Sequence, residues 1–429
     1  MQISRSGIGS DPGQRHSPEP GGRRHSGSGA AKRMFICDPI CVLPFGHNAP
    51  AMAYFRSFFA PDFDRIECCV GLPFSDAIAG RQGFRKYFTY LYNDVMPVDA
   101  GGGLDEGAGT DTDGPWPNDV ASRIARHDYL GLITQEAMGR RDVLFLPSAD
   151  FHSVHGLLEA LRELPADESP AVLLRLIGVM ENASHVVLEP MKHLCSAIEA
   201  ARRAGHRILV AAETPVYANH LAASFDIDVA MLPYPLLAEA IPLPRTGPFV
   251  VASAGSARFD KGFLDLLPII REVRRLDDGL DIEFRIQGLT DRQVVHHQSY
   301  TNQLYAMPGV VLLPAVLSHD DMRALYAGCH AVLLPYEQSI YQFRGSAVLM
   351  EAIAYGRHTI ARGSLGFSCQ IEYYQNGEIC STNEAFARAV IAASRLPREV
   401  MQRRLTLARS RYEHDTASAY RVWMEQSDA

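Results

Sequence analysis

Short apolar runs, each followed by a turn and then by a longer amphipathic segment, recur along most of this chain. In the first half the runs are 34–37, 66–70, 143–146, 171–176 and 207–212, followed by helical patterns at 51–59, 118–138, 154–164, 191–204 and 218–225. In the second half they are 249–254, 310–313 and 331–334, with 282–287 apolar at every other residue, and helical patterns fall at 263–276, 292–305 and 320–327. Four to six apolar residues bounded by turn residues suit a strand, whereas helices need longer periodic stretches. Strand and helix in strict alternation build α/β structure, mostly parallel, doubly wound sheets with helices on both faces.

At 429 residues, 47% hydrophobic and 21% charged, the chain is long enough for two cores. The alternation breaks at two proline-rich segments, 232–235 and 241–248, which suit a semi-rigid connection between domains that could hinge over a ligand. The expected division is a tail over 1–33, a first Rossmann-like domain over 34–240, a second over 241–405, and a terminal helix over 406–429 that can return to the first domain. Residues 7–29 are rich in Gly, Ser, Pro, Arg and His, a composition that cannot bury enough surface to offset ordering entropy. Residues 101–118 are glycine-rich and acidic and read as a flexible insertion.

A net charge of −8 argues against a nucleic-acid partner, since such binding runs on an excess of Lys and Arg. No apolar run approaches the roughly 18 residues that a membrane span needs. The first residues lack the apolar core of a signal peptide. The eight cysteines show no paired C-x-x-C spacing and read as free thiols of a cytoplasmic protein. Arginines in the tail leave room for peripheral contact with an anionic membrane surface. Asp111 and Asp113 are spaced to share a hard cation, but they lie in the low-complexity insertion, so no metal and no other cofactor is expected.

The chemistry concentrates in 331–356. A buried strand runs into a polar turn carrying Tyr336, Tyr341 and Arg344, and a helix opens at Gly345 and Ser346. A helix starting at a strand's carboxyl end offers unpaired N–H groups and partial positive charge to an anion. Arg258 and Lys261 leave the 249–254 strand three residues apart, after the Gly255 turn. A planar fork and a point charge so placed suit a diphosphate. Glu351, about 7.5 Å along the helix at 1.5 Å per residue, is placed to accept ribose hydroxyls. In the first half Gly46 and His47, after the first strand, and His152, after the 143–146 strand, are candidates for the acceptor side.

The order of these features resembles the family-4-type retaining glycosyltransferases. The matching residues are Arg258-x-x-Lys261-Gly262, Ile286-Gln287-Gly288, 310–322, 326–336 and Glu351-Ala352-Ile353-Ala354-Tyr355-Gly356. The resemblance covers 249–380; the first half matches by its alternation and by Ala212-Glu213-Thr214. It implies the GT-B fold, two Rossmann-like domains facing across a cleft. It also implies transfer of a sugar from a nucleotide-diphosphate donor to a glycan, lipid-linked or small-molecule acceptor, with retention, as in polysaccharide biosynthesis. Gly255, Arg258, Lys261, Tyr341, Arg344, Gly345, Ser346 and Glu351 would then bind the donor, with Arg258 and Lys261 stabilising the leaving diphosphate. The family's first helix glutamate falls here on Phe343, which with Arg344 would border the transferred sugar. A non-catalytic sugar-nucleotide-binding or assembly protein and a UDP-sugar epimerase are the alternatives of the same fold.

Overall fold

The first apolar run becomes β1 (Arg33–Asp38), in which Met34, Phe35, Ile36 and Cys37 are all buried. Successive side chains of a strand point to opposite faces. Met34 and Ile36 therefore enter one apolar cluster, Phe35 and Cys37 another. Burial on both faces is the mark of a parallel sheet covered by helices. This arrangement is seen in a computed structural model describing residues 31–43, 48–89, 119–178, 188–255, 257–289 and 291–427.

β1 is joined by β2 (Arg65–Gly71), β3 (Phe84–Phe88), β4 (Val143–Ala149), β5 (Ala171–Leu176), β6 (Ile208–Ala212) and β7 (Ala230–Met231). All pairings are parallel, in the order β3-β2-β1-β4-β5-β6-β7. The second sheet holds β8 (Phe249–Ser253), β9 (Ile282–Gln287), β10 (Val310–Leu313), β11 (Ala331–Leu334), β12 (His358–Arg362) and β13 (Gly377–Cys380). Its order is β10-β9-β8-β11-β12-β13, again parallel. In both sheets the order of strand addition reverses between the first strand and the next one added on its other side, β1/β4 and β8/β11. At such switch points the loops part and a crevice opens beyond the carboxyl ends. The architecture is α/β, with two Rossmann-like units.

Some elements carry no apolar run in the sequence. β3 reads Phe-Arg-Lys-Tyr-Phe and lies at a sheet edge, where Arg85 pairs with Glu67 and Glu136. β12 holds His358 and Thr359 buried, Thr359 bonded by Asn376 Nδ2 at 2.9 Å. Val42 and Leu43, apolar but past the turn at Pro39 and Ile40, lie outside the sheet and line the cleft. The eight cysteines are free thiols, seven of them buried. Among the described residues no helix is long and apolar enough to cross a membrane.

The C-terminal region forms two helices, Asn383–Arg395 and the long Arg398–Gln426. The second begins on the second sheet's side and ends on the first's. Tyr412 Oη donates to Tyr234 O at 2.8 Å, Tyr420 packs tilted on Phe55 with ring centroids 5.1 Å apart, and Trp423 meets Phe145 edge-on at 5.8 Å. One apolar cluster consequently runs through both units, from Met34 and Phe145 to Val332 and Leu334. The residues expected to form a separate helix from 406 belong to this longer one.

Candidate active site

Between the two sheets lies a cleft of about 600 Å³. It is lined by Ile40, Ser148, Arg175 and Glu213 from the carboxyl ends of β1, β4, β5 and β6, and by residues following β8 and β11. The second unit supplies Arg258, Lys261 and Arg344. Gly255 has φ +81°, and a Cβ there would lie 2.8 Å from Lys261 Nζ and 2.9 Å from Val348 Cγ2. Its missing side chain is what lets the ammonium approach the start of helix Ala347–Tyr355. Gly262, at φ +73°, turns the chain so tightly that a Cβ would sit 2.0 Å from Pro335 O. This turn locks the Arg258–Lys261 segment against the end of β11.

Arg258 Nη2 donates to Asp260 Oδ2 at 2.7 Å and to Tyr341 Oη at 2.9 Å. Burial disfavours its charge, but Tyr341 and Asp260 outweigh burial and hold the guanidinium above its usual range. Lys261 fares differently. Burial first, then the neighbouring Arg258, push its ammonium down to about 8, against the pull of Asp260 and Glu351. Ser346 caps helix Ala347–Tyr355, its Oγ accepting from Leu349 N at 3.2 Å. The amides of Ala347 and Val348, in the first turn, have no intrahelical acceptor, and both residues line the cleft. Tyr336, Tyr341, Arg344 and Gly345 line it too. The fold thus brings Arg258, Lys261, Tyr341, Arg344, Gly345 and Ser346 together, with Gly255 making room behind them.

Glu351 lies one and a half turns further along, beside a small apolar crevice shared with Pro50, Tyr234, His319 and Tyr355. Its Oε2 accepts from Tyr326 Oη at 2.7 Å. Burial raises its pKa, opposed by Tyr326, Lys261 and His319.

The acceptor-side expectations fare less well. Gly46 and His47 lie outside the described residues, as do 101–118 with Asp111 and Asp113. His152 does not line the cleft. β4 continues to Ala149, so Asp150 becomes the N-cap of helix Phe151–Leu161, accepting from His152 N at 3.0 Å and Ser153 N at 3.1 Å. That places His152 inside the helix, buried, with Nδ1 3.3 Å from Ser122 Oγ of helix Asp119–Gln135. Burial lowers its pKa, more than Asp150 raises it.

Phe343 does not border the cleft either. Its ring stacks on His220 at 4.3 Å and lies 5.8 Å from Tyr217, both on helix Pro215–Phe225 of the first unit. Thr214 Oγ1 donates to Phe343 O at 2.8 Å, so the residue pins the two units together. Phe343→Glu should put a carboxylate into this apolar contact and cost about 1 to 3 kcal/mol. Thermal unfolding checks it, and an unchanged midpoint would contradict the placement of this ring.

Sequence reasoning gave no role to Arg175 and Glu213. Arg175 is 1% exposed, and its Nη2 meets Glu213 Oε1 at 3.1 Å. A signal was present: Ala-Val-Leu-Leu-Arg-Leu places one charge in an otherwise apolar strand buried on both faces, where arginine almost never goes unpaired. Its partner, 38 residues away, could not be read.

Residues 248–395 match the family described as "Glycosyl transferases group 1". No curated protein matches the chain. Among solved structures, Anabaena HepE in complex with UDP and glucose is similar at TM-score 0.61 and 11% identity, over 93% of this chain and 100% of that one. The lipopolysaccharide outer core galactosyltransferase WaaB is similar at TM-score 0.55 and 12% identity, over 91% and 99%. A glycosyltransferase from Rickettsia africae gives TM-score 0.56 and 10% identity, over 90% and 98%. At these identities the likeness speaks for the fold, and the family match over the second unit for the activity. The chain is accordingly a glycosyltransferase of GT-B architecture, with its cleft between two Rossmann-like domains.

Proposed function

We propose that the cleft binds a nucleotide-diphosphate sugar, and that the enzyme transfers the sugar with retention to a glycan, lipid-linked or small-molecule acceptor, as a cytoplasmic member of the family-4 type. The observation that carries this reading is the convergence of Arg258, Lys261 and the opening turn of helix Ala347–Tyr355 on one cleft at the switch point of the second sheet. Three fixed sources of positive charge, two from the turn after β8 and one from the helix start, suit the clustered charge of a diphosphate. As the glycosidic bond to the diphosphate breaks, charge grows on the leaving oxygen, and groups already aimed there stabilise it without reorganising. Retention follows if the acceptor hydroxyl attacks from the face the diphosphate leaves. The same cations would then hold the leaving group while its oxygen takes the acceptor's proton. Peripheral contact with a membrane would bring a lipid-linked acceptor to the cleft.

The test is incubation of the pure protein with UDP-, GDP- and TDP-sugars, with and without candidate acceptors. Transfer or slow hydrolysis with release of nucleoside diphosphate supports the reading, and an anomeric assignment of the product decides retention. Binding without turnover of any donor, or formation of an epimer, would replace it with one of the other uses of this fold.

Glu351 is proposed to accept ribose hydroxyls in the crevice beside the cleft. Glu351→Gln keeps an acceptor for Tyr326 and removes the charge, so nucleoside diphosphate and intact donor should weaken alike, by about 1 kcal/mol or roughly fivefold. Titration calorimetry reads both, and a loss confined to the intact donor would move Glu351 to the sugar.

A further inference from the structure

We propose that Glu213 reads hydroxyl groups of the transferred sugar, held for that task by the buried Arg175; the inference rests on the cleft being a nucleotide-sugar site. Arg175 is fixed on three sides. Its Nε donates to Leu232 O at 3.0 Å, its Nη1 to Pro147 O at 2.8 Å and its Nη2 to Glu213 Oε1 at 3.1 Å, with the Tyr234 ring 5.2 Å away. The carboxylate at the end of β6 thereby has one orientation, imposed from within the first domain.

A purely structural ion pair would be closed off, but this one opens. The Glu213 side chain is 13% exposed and lines the cleft while Arg175 behind it is 1% exposed. On its other side the carboxylate lies against Gly345, where a Cβ would stand 2.4 Å from Glu213 Cδ and 2.6 Å from Oε1. Gly345 is two residues before Ala347, the first residue of the helix whose opening amides face the proposed diphosphate. The next group along a nucleotide sugar beyond the second phosphate is the sugar itself. Glu213 is the only carboxylate among the described residues lining this cleft; its other charged side chains, Arg175, Arg258, Lys261 and Arg344, are cations.

The chemistry fits that position. A sugar presents hydroxyl donors, and an ionised carboxylate is acceptor-only, with about four lone-pair sites. Arg175 occupies one of them on Oε1, which leaves capacity for hydroxyls. Such charge-assisted bonds are short and directional. A site built to bond a hydroxyl also rejects a sugar that cannot supply it, because the buried acceptor would be left unpaired. The neighbouring cations keep the nucleotide end of the donor, so removing Glu213 should cost sugar recognition and spare nucleotide recognition.

Titration calorimetry on the full chain with matched pairs separates these: UDP against UDP-glucose, GDP against GDP-mannose, TDP against TDP-glucose. The pair that the parent protein binds best is repeated with Glu213→Gln, which keeps the side chain's size and an acceptor for Arg175. The nucleotide sugar should weaken about tenfold or more while the bare nucleoside diphosphate stays within about twofold. Where Glu213→Gln does not fold, Glu213→Asp, which keeps the charge and shortens the reach, is held to the same comparison. Equal losses for sugar and diphosphate, or no loss for either, overturn the role of Glu213 and leave the cleft assignment standing. Failure of the parent protein to bind any nucleotide overturns the cleft assignment and this inference with it.

Discussion

Lys261→Met should bind nucleoside diphosphate about 10- to 100-fold more weakly than the parent and yet unfold at the same or a higher temperature. A hydrogen bond from a fixed cation to phosphate is worth about 1.5 to 3 kcal/mol, which sets the size of the loss. The sign of the stability change comes from the free protein. Burial and Arg258 hold Lys261 down at about 8 when folded, against 10.5 for the ordinary side chain. Between those values the unfolded chain binds a proton that the folded one does not, so this residue's contribution to stability rises with pH from 8 to 10.5 and is at its least favourable below 8. At neutral pH the penalty is on the order of 3 kcal/mol, and methionine removes it.

The same ionisation governs binding. The ammonium is present below pH 8 and lost above it, so affinity for the diphosphate should fall as pH rises through about 8. In Lys261→Arg, whose guanidinium stays charged, that fall should flatten. Calorimetry between pH 6.5 and 9.5 measures both. Affinity that is flat with pH in the parent would remove Lys261 from the phosphate. A Lys261→Met protein that unfolds well below the parent would mean that the ammonium is satisfied in the free cleft. A site that holds an uncomfortable cation until its anion arrives is the ordinary form of the trade between stability and function.

Trp423→Ala should destabilise the protein by about 3 to 5 kcal/mol, the usual cost of emptying a buried aromatic site. Trp423 is fully buried, edge-on to Phe145 of β4, with Tyr420 beside it against Phe55. It belongs to the end of a helix whose beginning packs on the second domain, where Met401 and Leu405 join the apolar cluster on the far face of that sheet. Loss of the ring therefore weakens the first domain's core and the strap between the domains together. Trp423→Phe keeps an edge for Phe145 and should cost less than half as much. Urea unfolding followed by circular dichroism separates the two. An Ala variant within about 1 kcal/mol of the parent would show that the helix end is dispensable to the first domain. Removing the helix beyond Arg404 should leave an insoluble chain, since Tyr412, Tyr420 and Trp423 would be withdrawn from a shared core.

Local signals determined much of this protein. The strands at 171–176, 282–287, 310–313 and 331–334 stand at the limits their sequence implies: 171–176 and 331–334 are buried along their whole length and are almost wholly apolar, whereas 282–287 alternates, with Ile282, Phe284 and Ile286 buried. The donor side was legible for a related reason. Gly255, Arg258 and Lys261 sit in the turn after β8, Gly345 and Ser346 in the connection from β11 to the next long helix, and in a parallel sheet all such connections leave from one edge. Polar edge strands such as β3 were not legible, since their pairing is supplied by a neighbour rather than by their own apolar residues. His152 shows the limit from the other side. Its place after a strand suggested the cleft, but three more residues of strand and a helix cap at Asp150 rotated it into the packing against Ser122. Only the tertiary structure could decide that Phe343 faces His220, that Glu213 faces Gly345, and that Arg175 stands behind Glu213. Each of these pairs joins residues far apart in the chain. Spacing along a chain sets which way a side chain leaves its own strand or helix, whereas what it meets there depends on how the two domains close around their shared core.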